Sequence, residues 1–283
     1  MPTTPIPVSR TVADLRSRVA AWRRENRRIA LIPTMGALHE GHISLVRLAR
    51  ETCDRVVASI FVNPTQFAPT EDFSTYPRTF DDDVHQLTRA DCNLVWAPGV
   101  GEMYPDGFAT RVVPAGAAEG LETDFRPHFF GGVATVCAKL FLQVAPDIAV
   151  FGEKDFQQLA VIRQMVRDLD LPLAIIGAPT MREADGLAMS SRNRYLSADE
   201  RRIAPLVHQV ILDVAARVRA GETADIAGAD AARTLIAGGF ATVDYVAVRD
   251  AATLAAFDPA KGLGRVLVAA WLGKTRLIDN VPV

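Results

Sequence analysis

The amino-acid sequence predicts an α/β protein: a doubly wound parallel sheet joined to a second, smaller α+β domain. Three observations carry this expectation. Short, almost wholly apolar runs at 29–32 and 56–62 read as strands covered on both faces, as the strands of a parallel sheet are. Between such runs lie segments whose apolar residues recur three or four apart, the period of an amphipathic helix. The two patterns alternate up to about residue 176 and then give way to helices followed by strands, a change of architecture.

Taken in order, residues 11–28 place Val12, Leu15, Val19 and Trp22 on one stripe with arginines between them, and a strand at 29–32 follows directly. Helical spacing returns through Leu45, Leu48 and Ala49 in 43–53, before the strand at 56–62. A polar helix near 80–90, a strand at 94–96, a helix at 132–145, a strand at 148–151, a helix at 156–168 and a strand at 173–176 complete a Rossmann-like series. Beyond it, a long helix over 198–220, a short one near 230–237 and two apolar strands at 243–248 and 266–270 describe the α+β part. The domain boundary is expected within 177–186, giving domains of 1–178 and 179–283. The stretch 63–76 carries two prolines and no apolar period, so it reads as an ordered loop beside a site.

Composition narrows the function. Of 283 residues, 49% are hydrophobic and 23% charged, the profile of a compact globular chain. The 31 basic and 33 acidic residues nearly cancel, leaving no global positive field to hold a phosphate backbone, so nucleic acid is not an expected partner. Cys53, Cys92 and Cys137 are widely spaced and lack C-x-x-C pairing, as expected of reduced, buried thiols in a cytoplasmic protein. The first residues carry no cationic start with an apolar core, and the longest apolar stretch, 266–272, is far short of a membrane span.

The chemistry gathers where expected strands give way to helices. Ile32-Pro33-Thr34-Met35-Gly36 runs into His39-Glu40-Gly41-His42 at such a junction, the place where open parallel sheets bind ligands. Exposed backbone N–H groups and the positive end of a helix dipole favour an anion there, and Gly36 and Gly41 let the chain turn and a ligand approach. Phosphate is the expected guest. His39 and His42, three apart on a first helical turn, lie on one side and can both donate to phosphate oxygens. Two alternatives stand beside this reading. One is zinc ligation, which lacks a third His or Cys at ligand spacing and the H-E-x-x-H pattern; the other is a pair of solvated capping histidines.

Phe151-Gly152-Glu153-Lys154-Asp155-Phe156-Gln157-Gln158 forms a second junction. A lysine at a helix start opposes the dipole, and its presence makes sense if Lys154 faces a phosphate. Asp155 can accept from ribose hydroxyls and Gln158 can both donate to and accept from a polar substrate. The alternative is a solvated charge cluster with Asp155 as a helix cap. A third segment, Met181-Arg182-Glu183-Ala184-Asp185-Gly186-Leu187-Ala188-Met189-Ser190-Ser191-Arg192-Asn193, suits a mobile loop closing over a triphosphate, or else a plain polar linker.

Together these features resemble the nucleotidyltransferase superfamily with an H-x-G-H motif, which includes class I aminoacyl-tRNA synthetases, and within it the pantoate–β-alanine ligase (pantothenate synthetase) family. The resemblance rests on Pro33 to His42, Phe61-Val62-Asn63-Pro64-Thr65-Gln66-Phe67, Gly152-Glu153-Lys154-Asp155 with Gln158, and Met189-Ser190-Ser191-Arg192-Asn193-Arg194-Tyr195-Leu196, which follow the family's order across most of the chain. It implies a two-step, ATP-dependent condensation of pantoate with β-alanine through a pantoyl adenylate, releasing pyrophosphate and AMP. His39, His42 and Lys154 are the implied catalytic set. Pro33, Thr34, Met35, Gly152, Asp155, Met181 and Met189 would line the nucleotide site, with Ser190, Ser191 and Arg192 closing over the phosphates. Gln66 and Gln158 would grip pantoate, with Asn63 nearby. Magnesium is implied through the ATP phosphates, with Asp82, Asp83 and Gln86 near where the family places acidic residues; Asp81-Asp82-Asp83 equally suits a solvated first helical turn. No tightly bound organic cofactor is implied, and a homodimer is. An adenylyltransferase that keeps the nucleotide in its product, or a nucleotide-sensing or RNA-binding relative, would share the same phosphate motifs.

The chain departs from the family at one place. The family's Arg-Pro-x-His-Phe segment reads Arg126-Pro127-His128-Phe129-Phe130 here, with phenylalanine where histidine is usual. Its contact is therefore either lost or supplied by His128 after a local shift, and His128 stays outside the catalytic set.

Overall fold

A computed structural model describes residues 5–68 and 71–283. The expectation of an ordered loop at 63–76 falls partly on 69–70, and the reading of the first residues falls on 1–4; both lie outside the described residues. The chain forms two compact units. One runs to Glu153 and resumes over Val161–Ala178, and the other comprises Lys154–Ala160 and Pro179–Val283.

In chain order the first part contains β1 (Val8–Ser9), α1 (Val12–Arg24), β2 (Ile29–Thr34), α2 (Glu40–Arg50), β3 (Arg55–Ile60), α3 (Phe80–Arg89) and β4 (Leu94–Trp96). Then come α4 (Val100–Met103), α5 (Glu122–Phe125), α6 (Phe129–Val144), β5 (Ile148–Gly152), α7 (Phe156–Asp168) and β6 (Ala174–Ala178). The six strands form one sheet in the order β1-β4-β3-β2-β5-β6, and every pairing is parallel. The strand order therefore reverses between β2 and β5. At such a switch point successive connections leave toward opposite faces and open a crevice at the carboxyl ends of the strands.

Side chains alternate along each strand, and both sets are buried. Ala30, Ile32, Val56, Ala58, Val95, Ile148 and Val150 share a core with Ile43, Leu45, Val46 and Ala49 of α2 and Leu87 of α3. The opposite parity contains Leu31, Val57 and Trp96, all fully buried. There the Trp96 indole N–H donates to Gln143 of α6 at 3.1 Å, and α1 packs against α6. Layers on both faces explain the near-continuous apolar strands. Thr11 caps α1 by accepting from the Asp14 amide, and the arginines of its last turn suit the negative end of the dipole.

The second unit contains α8 (Ala198–Ile203), α9 (Leu206–Arg219), α10 (Ala224–Ala237), β7 (Thr242–Asp250), β8 (Gly264–Leu272) and β9 (Thr275–Pro282). The three strands form an antiparallel sheet with β8 central. Its apolar face, with Val266, Val268, Ala270, Leu277 and Val281, packs on Val207, Val210, Ile211 and Val214 of α9 and on Ala227, Ala231 and Leu235 of α10.

Three sequence expectations need correction here. The helix expected over 198–220 is two helices, because Pro205 lacks an amide hydrogen to donate and disfavours helical geometry at the residue before it. The short helix expected near 230–237 starts at Ala224, after Thr223. The sheet has a third strand, β9, joined to β8 by the two-residue turn Gly273-Lys274 with Gly273 at φ 55°. Buried Asp279 and Asn280 break the apolar rhythm of β9 and conceal it from a hydrophobicity pattern.

All three cysteines are buried and unpaired. Desolvation pushes the Cys92 thiol up to about 11 and the Cys137 thiol to about 12. At pH 8 a thiol reagent is expected to leave these two unmodified in the native protein and to titrate all three cysteines after denaturation. Rapid native-state reaction at Cys92 or Cys137, read by peptide mass spectrometry, would contradict the packing.

Candidate active site

The segment joining β2 to α2 is held from inside the protein. Gly36 and Ala37 take left-handed backbone angles, φ 83° and 52°, which turns the amides of Ala37 and Leu38 toward the carboxylate of Asp83 on α3. The two N–H groups donate to it at 2.9 and 2.8 Å, and the Thr79 hydroxyl donates to it at 3.1 Å. A Cβ at Gly36 would sit 3.0 Å from Asp83 Oδ2, so glycine is needed for space as well as for its backbone angle. Asp83 is 1% exposed. The Gln86 amide, one turn on, donates to the Leu38 carbonyl at 3.4 Å.

This arrangement corrects two expectations. The motif amides are not exposed donors awaiting phosphate, since those of Ala37 and Leu38 already bind a carboxylate and that of Gly36 binds the Thr34 hydroxyl at 3.1 Å. Asp83 is a buried anchor for the turn rather than an acid turned toward a metal, whereas Asp82 is exposed on the first turn of α3. Among the described residues there is no group of three or more His, Cys, Asp or Glu side chains that could hold a metal ion.

His39 and His42 form a reciprocal cap at the start of α2. His39 Nδ1 accepts from the Gly41 amide at 3.1 Å, and His42 Nδ1 accepts from the His39 amide at 3.3 Å. The ring centroids lie 4.1 Å apart. A neutral imidazole that accepts at Nδ1 carries its proton on Nε2, so the backbone makes each ring an Nε2–H donor. Capping, set beside anion binding as an alternative on sequence, uses the Nδ1 atom of each ring.

Asn63 and Gln66 lie together just beyond β3. The Asn63 amide donates to Gln66 Oε1 at 2.9 Å and to the Gly132 carbonyl at 3.2 Å. Its oxygen accepts from the Thr65 hydroxyl at 3.0 Å and the Tyr104 hydroxyl at 2.8 Å. Both donors of Asn63 are thus used within the protein, so its work is to orient Gln66, whose carbonyl oxygen is engaged and whose NH2 group is the end that can donate to a substrate. Gly132 lets α6 approach this turn, because a Cβ there would lie 2.3 Å from the Thr65 carbonyl oxygen. Arg126 donates to the Gln66 carbonyl at 3.2 Å and forms a bidentate pair with Glu71 at 2.8 Å for each bond. Its guanidinium stacks 3.8 Å from the centroid of Phe129. His128 is exposed, and the π-face of Phe129 supports Arg126. Sequence reasoning missed Tyr104, Glu71 and Gly132, which lie far along the chain from the residues they hold.

In the second unit, Lys154 belongs to the turn Glu153–Asp155 ahead of α7. Its ammonium lies 3.9 Å from Asp155, its side chain is 18% exposed, and Asn280 of β9 donates to its carbonyl at 2.8 Å. Gln158 follows one turn on, partly exposed. The segment at 181–189 is a small hairpin rather than a plain linker: the Met189 amide donates to Met181 at 2.9 Å and the Glu183 amide to Leu187 at 2.8 Å. Arg182 ties it to buried Asp279 with bonds of 2.6 and 2.9 Å, and Arg201 of α8 binds Glu183 and Asp185, each at 2.6 Å. Ser190 caps the turn Ser191–Tyr195 by accepting from the Arg192 amide at 3.3 Å. Met181 is exposed, Met189 and Arg192 are partly exposed, and Ser191 is buried.

A doubly wound α/β protein, of the class that binds ligands at the carboxyl ends of its strands, is what this fold defines. A family model described as pantoate-beta-alanine ligase matches residues 7–282. A pantothenate synthetase of Mesorhizobium japonicum is 58% identical over 98% of this chain and 97% of its own. A crystal structure of pantothenate synthetase from Thermus thermophilus is 44% identical with a TM-score of 0.88, covering 98% of this chain and 99% of that one. That of a pantoate-beta-alanine ligase from Francisella tularensis, complexed with beta-gamma ATP and beta-alanine, is 32% identical with a TM-score of 0.83, covering 98% of this chain and 97% of that one. The chain belongs to the pantoate–β-alanine ligase family.

Two outcomes test the scaffold. Asp83→Ala leaves two buried amides without their acceptor, each worth about 1–3 kcal/mol, and urea unfolding is expected to register that loss; an unchanged midpoint would refute the anchoring role. Burial alone would raise the carboxyl of Glu71, but the hydrogen bond and charge of Arg126 hold it below the ordinary value of 4.5. The pair's contribution is therefore complete above pH 4.5 and lost as pH falls through the lowered folded-state value. Glu71→Gln is expected to unfold about 1–3 kcal/mol more easily at pH 7, with the gap to the parent narrowing below pH 4.5. A gap independent of pH would count against the pair.

Proposed function

We propose that the chain makes pantothenate from pantoate, β-alanine and ATP through a pantoyl adenylate. The observation that carries this reading is the reciprocal cap of α2, which makes His39 and His42 two Nε2–H donors at the carboxyl end of β2. Phosphate oxygens are the natural acceptors for neutral donors at a helix start, because the dipole there adds to the attraction.

In the first step a pantoate carboxylate oxygen bonds to the α-phosphorus of ATP while the bridging P–O bond breaks, and pyrophosphate leaves with the electron pair. In the second, the β-alanine amine bonds to the acyl carbon, the acyl C–O bond breaks, AMP leaves with that pair, and the amine loses a proton. Neither step makes a bond to the protein, so positioning and charge stabilisation dominate catalysis. His39 and His42 donate to phosphate oxygens. A neutral His42 is sufficient as a donor and need not act as an acid. Lys154 offsets the charge of departing pyrophosphate, and Ser190, Ser191 and Arg192 close over it. Pro33, Thr34, Met35, Gly152, Asp155, Met181 and Met189 line the nucleotide, with Asp155 accepting from ribose hydroxyls. Gln66, held by Asn63, donates to pantoate, and Gln158 completes the grip. Residues 1–178 thus serve nucleotide and pantoate, and 179–283 carry the loop for the phosphates.

Magnesium accompanies ATP in this reading. Asp83 has both oxygens engaged by backbone amides, and phosphate oxygens and water suit an ion that keeps much of its hydration. Among the described residues no helix is long and apolar enough to cross a membrane. A cytoplasmic homodimer that binds small molecules rather than nucleic acid completes the proposal.

Purified protein given ATP with magnesium, pantoate and β-alanine is expected to form AMP and pantothenate in equal amounts. Omitting β-alanine should stop sustained AMP release, and omitting pantoate should stop pyrophosphate release as well. A product that retains the nucleotide would sink the ligase reading in favour of an adenylyltransferase. Lys154→Ala is expected to lower kcat by roughly 10²–10³-fold.

A further inference from the structure

Lys154 stands in a turn whose geometry is set from the far end of the chain. Asn280 of β9 is 2% exposed, and its amide is fixed by two partners of opposite kind. Arg265 Nε donates to Oδ1 at 2.7 Å, and Nδ2 donates to the Lys154 carbonyl at 2.8 Å. Because a guanidinium only donates and a carbonyl only accepts, the amide has one satisfactory orientation. In the β8–β9 register Asn280 pairs with Leu267, which puts Arg265 diagonally beside it on the same sheet face. The Arg265 guanidinium also stacks 4.2 Å from the centroid of Phe156, two residues after Lys154. The turn is thus gripped at its carbonyl and at its first helical side chain. On the opposite sheet face, shared with the α9 core, Asp279 binds Arg182 at 2.6 and 2.9 Å, and the Asn280 carbonyl accepts from the same Arg182 at 3.4 Å. One strand therefore holds both the lysine turn and the hairpin that leads to Ser190.

We propose that Asn280, supported by Arg265, is a positioning residue for Lys154: its side-chain amide fixes the Lys154 carbonyl and so aims the ammonium group for phosphate. The proposal rests on the phosphate role of Lys154. A misplaced catalytic group loses rate even where the fold persists, so truncation of Asn280 should act on kcat through the lysine.

The test is a double-mutant cycle on the full chain, with AMP release and thermal unfolding measured on every variant. Asn280→Ala is expected to lower kcat about tenfold or more in the parent and less than about twofold in a Lys154→Ala background. Asn280→Asp retains an acceptor for Arg265 but cannot donate to the carbonyl. It should be as slow as Asn280→Ala, and it keeps the test open if the alanine variant does not fold. An equal fold-loss in both backgrounds would reduce Asn280 to a structural residue, and parental kcat in Asn280→Asp would overturn the proposal. Unchanged turnover in Lys154→Ala alone would instead remove the underlying role of the lysine.

Discussion

The geometry at the carboxyl end of β2 depends on one buried carboxylate. Asp83 is out of water, a position that is costly for a charge unless its lone pairs are met. Two consecutive amides and the Thr79 hydroxyl meet them, and the amides can do so only because Gly36 and Ala37 adopt left-handed angles. That turn places His39 at the start of α2, where its Nδ1 closes on Gly41 and where His42 closes back on the His39 amide. The chemistry of both imidazoles is thus a downstream result of an ion and dipole arrangement within the scaffold. The turn amides are thereby supplied with an anion by the protein itself, so under the proposed function phosphate recognition there would fall to side-chain donors.

The other functional residues are held by the same kind of device, a buried polar group with each bond committed. Asn63 orients Gln66, while Tyr104, Gly132 and the Arg126–Glu71 pair hold the turn that carries both. Asn280 meets Lys154. Preorganised donors need no rearrangement as charge develops, which suits the proposed reaction, in which no bond to the protein forms. Phe129 fits this picture, because a ring beneath Arg126 supports the guanidinium by stacking.

Much of this was legible in the sequence. Apolar runs with helical segments between them are what a sheet covered on both faces requires, so the parallel architecture and most element positions followed from periodicity alone. Block order from Pro33 to Leu196 carried the family, and the H-x-G-H spacing put two imidazoles on one helical turn. Pro205, which has no amide hydrogen to donate, is the local signal that divides 198–220 despite the apolar stripe. The Gly273-Lys274 turn was the available signal for β9, outweighed by the polar Asp279-Asn280 pair that its own contacts later explain.

The sequence by itself determined the fold class, the family and the residue types present at each strand-to-helix junction, because these depend on local periodicity and on short contiguous motifs. Tertiary structure alone decided what those residues touch. Asp83 reads as one of three acids on a helical first turn, yet the packed face of α3 buries it while Asp82 stays exposed. The motif N–H groups read as exposed until that carboxylate is placed beside them. Hydrogen-bond partners 45 and 126 residues apart, as in Asp83 with Leu38 and Asn280 with Lys154, leave no periodic trace in a single chain. The physical reason is that a hydrogen bond depends on distance and direction in space, and only the packed sheet, with its register and crossovers, brings those atoms within reach.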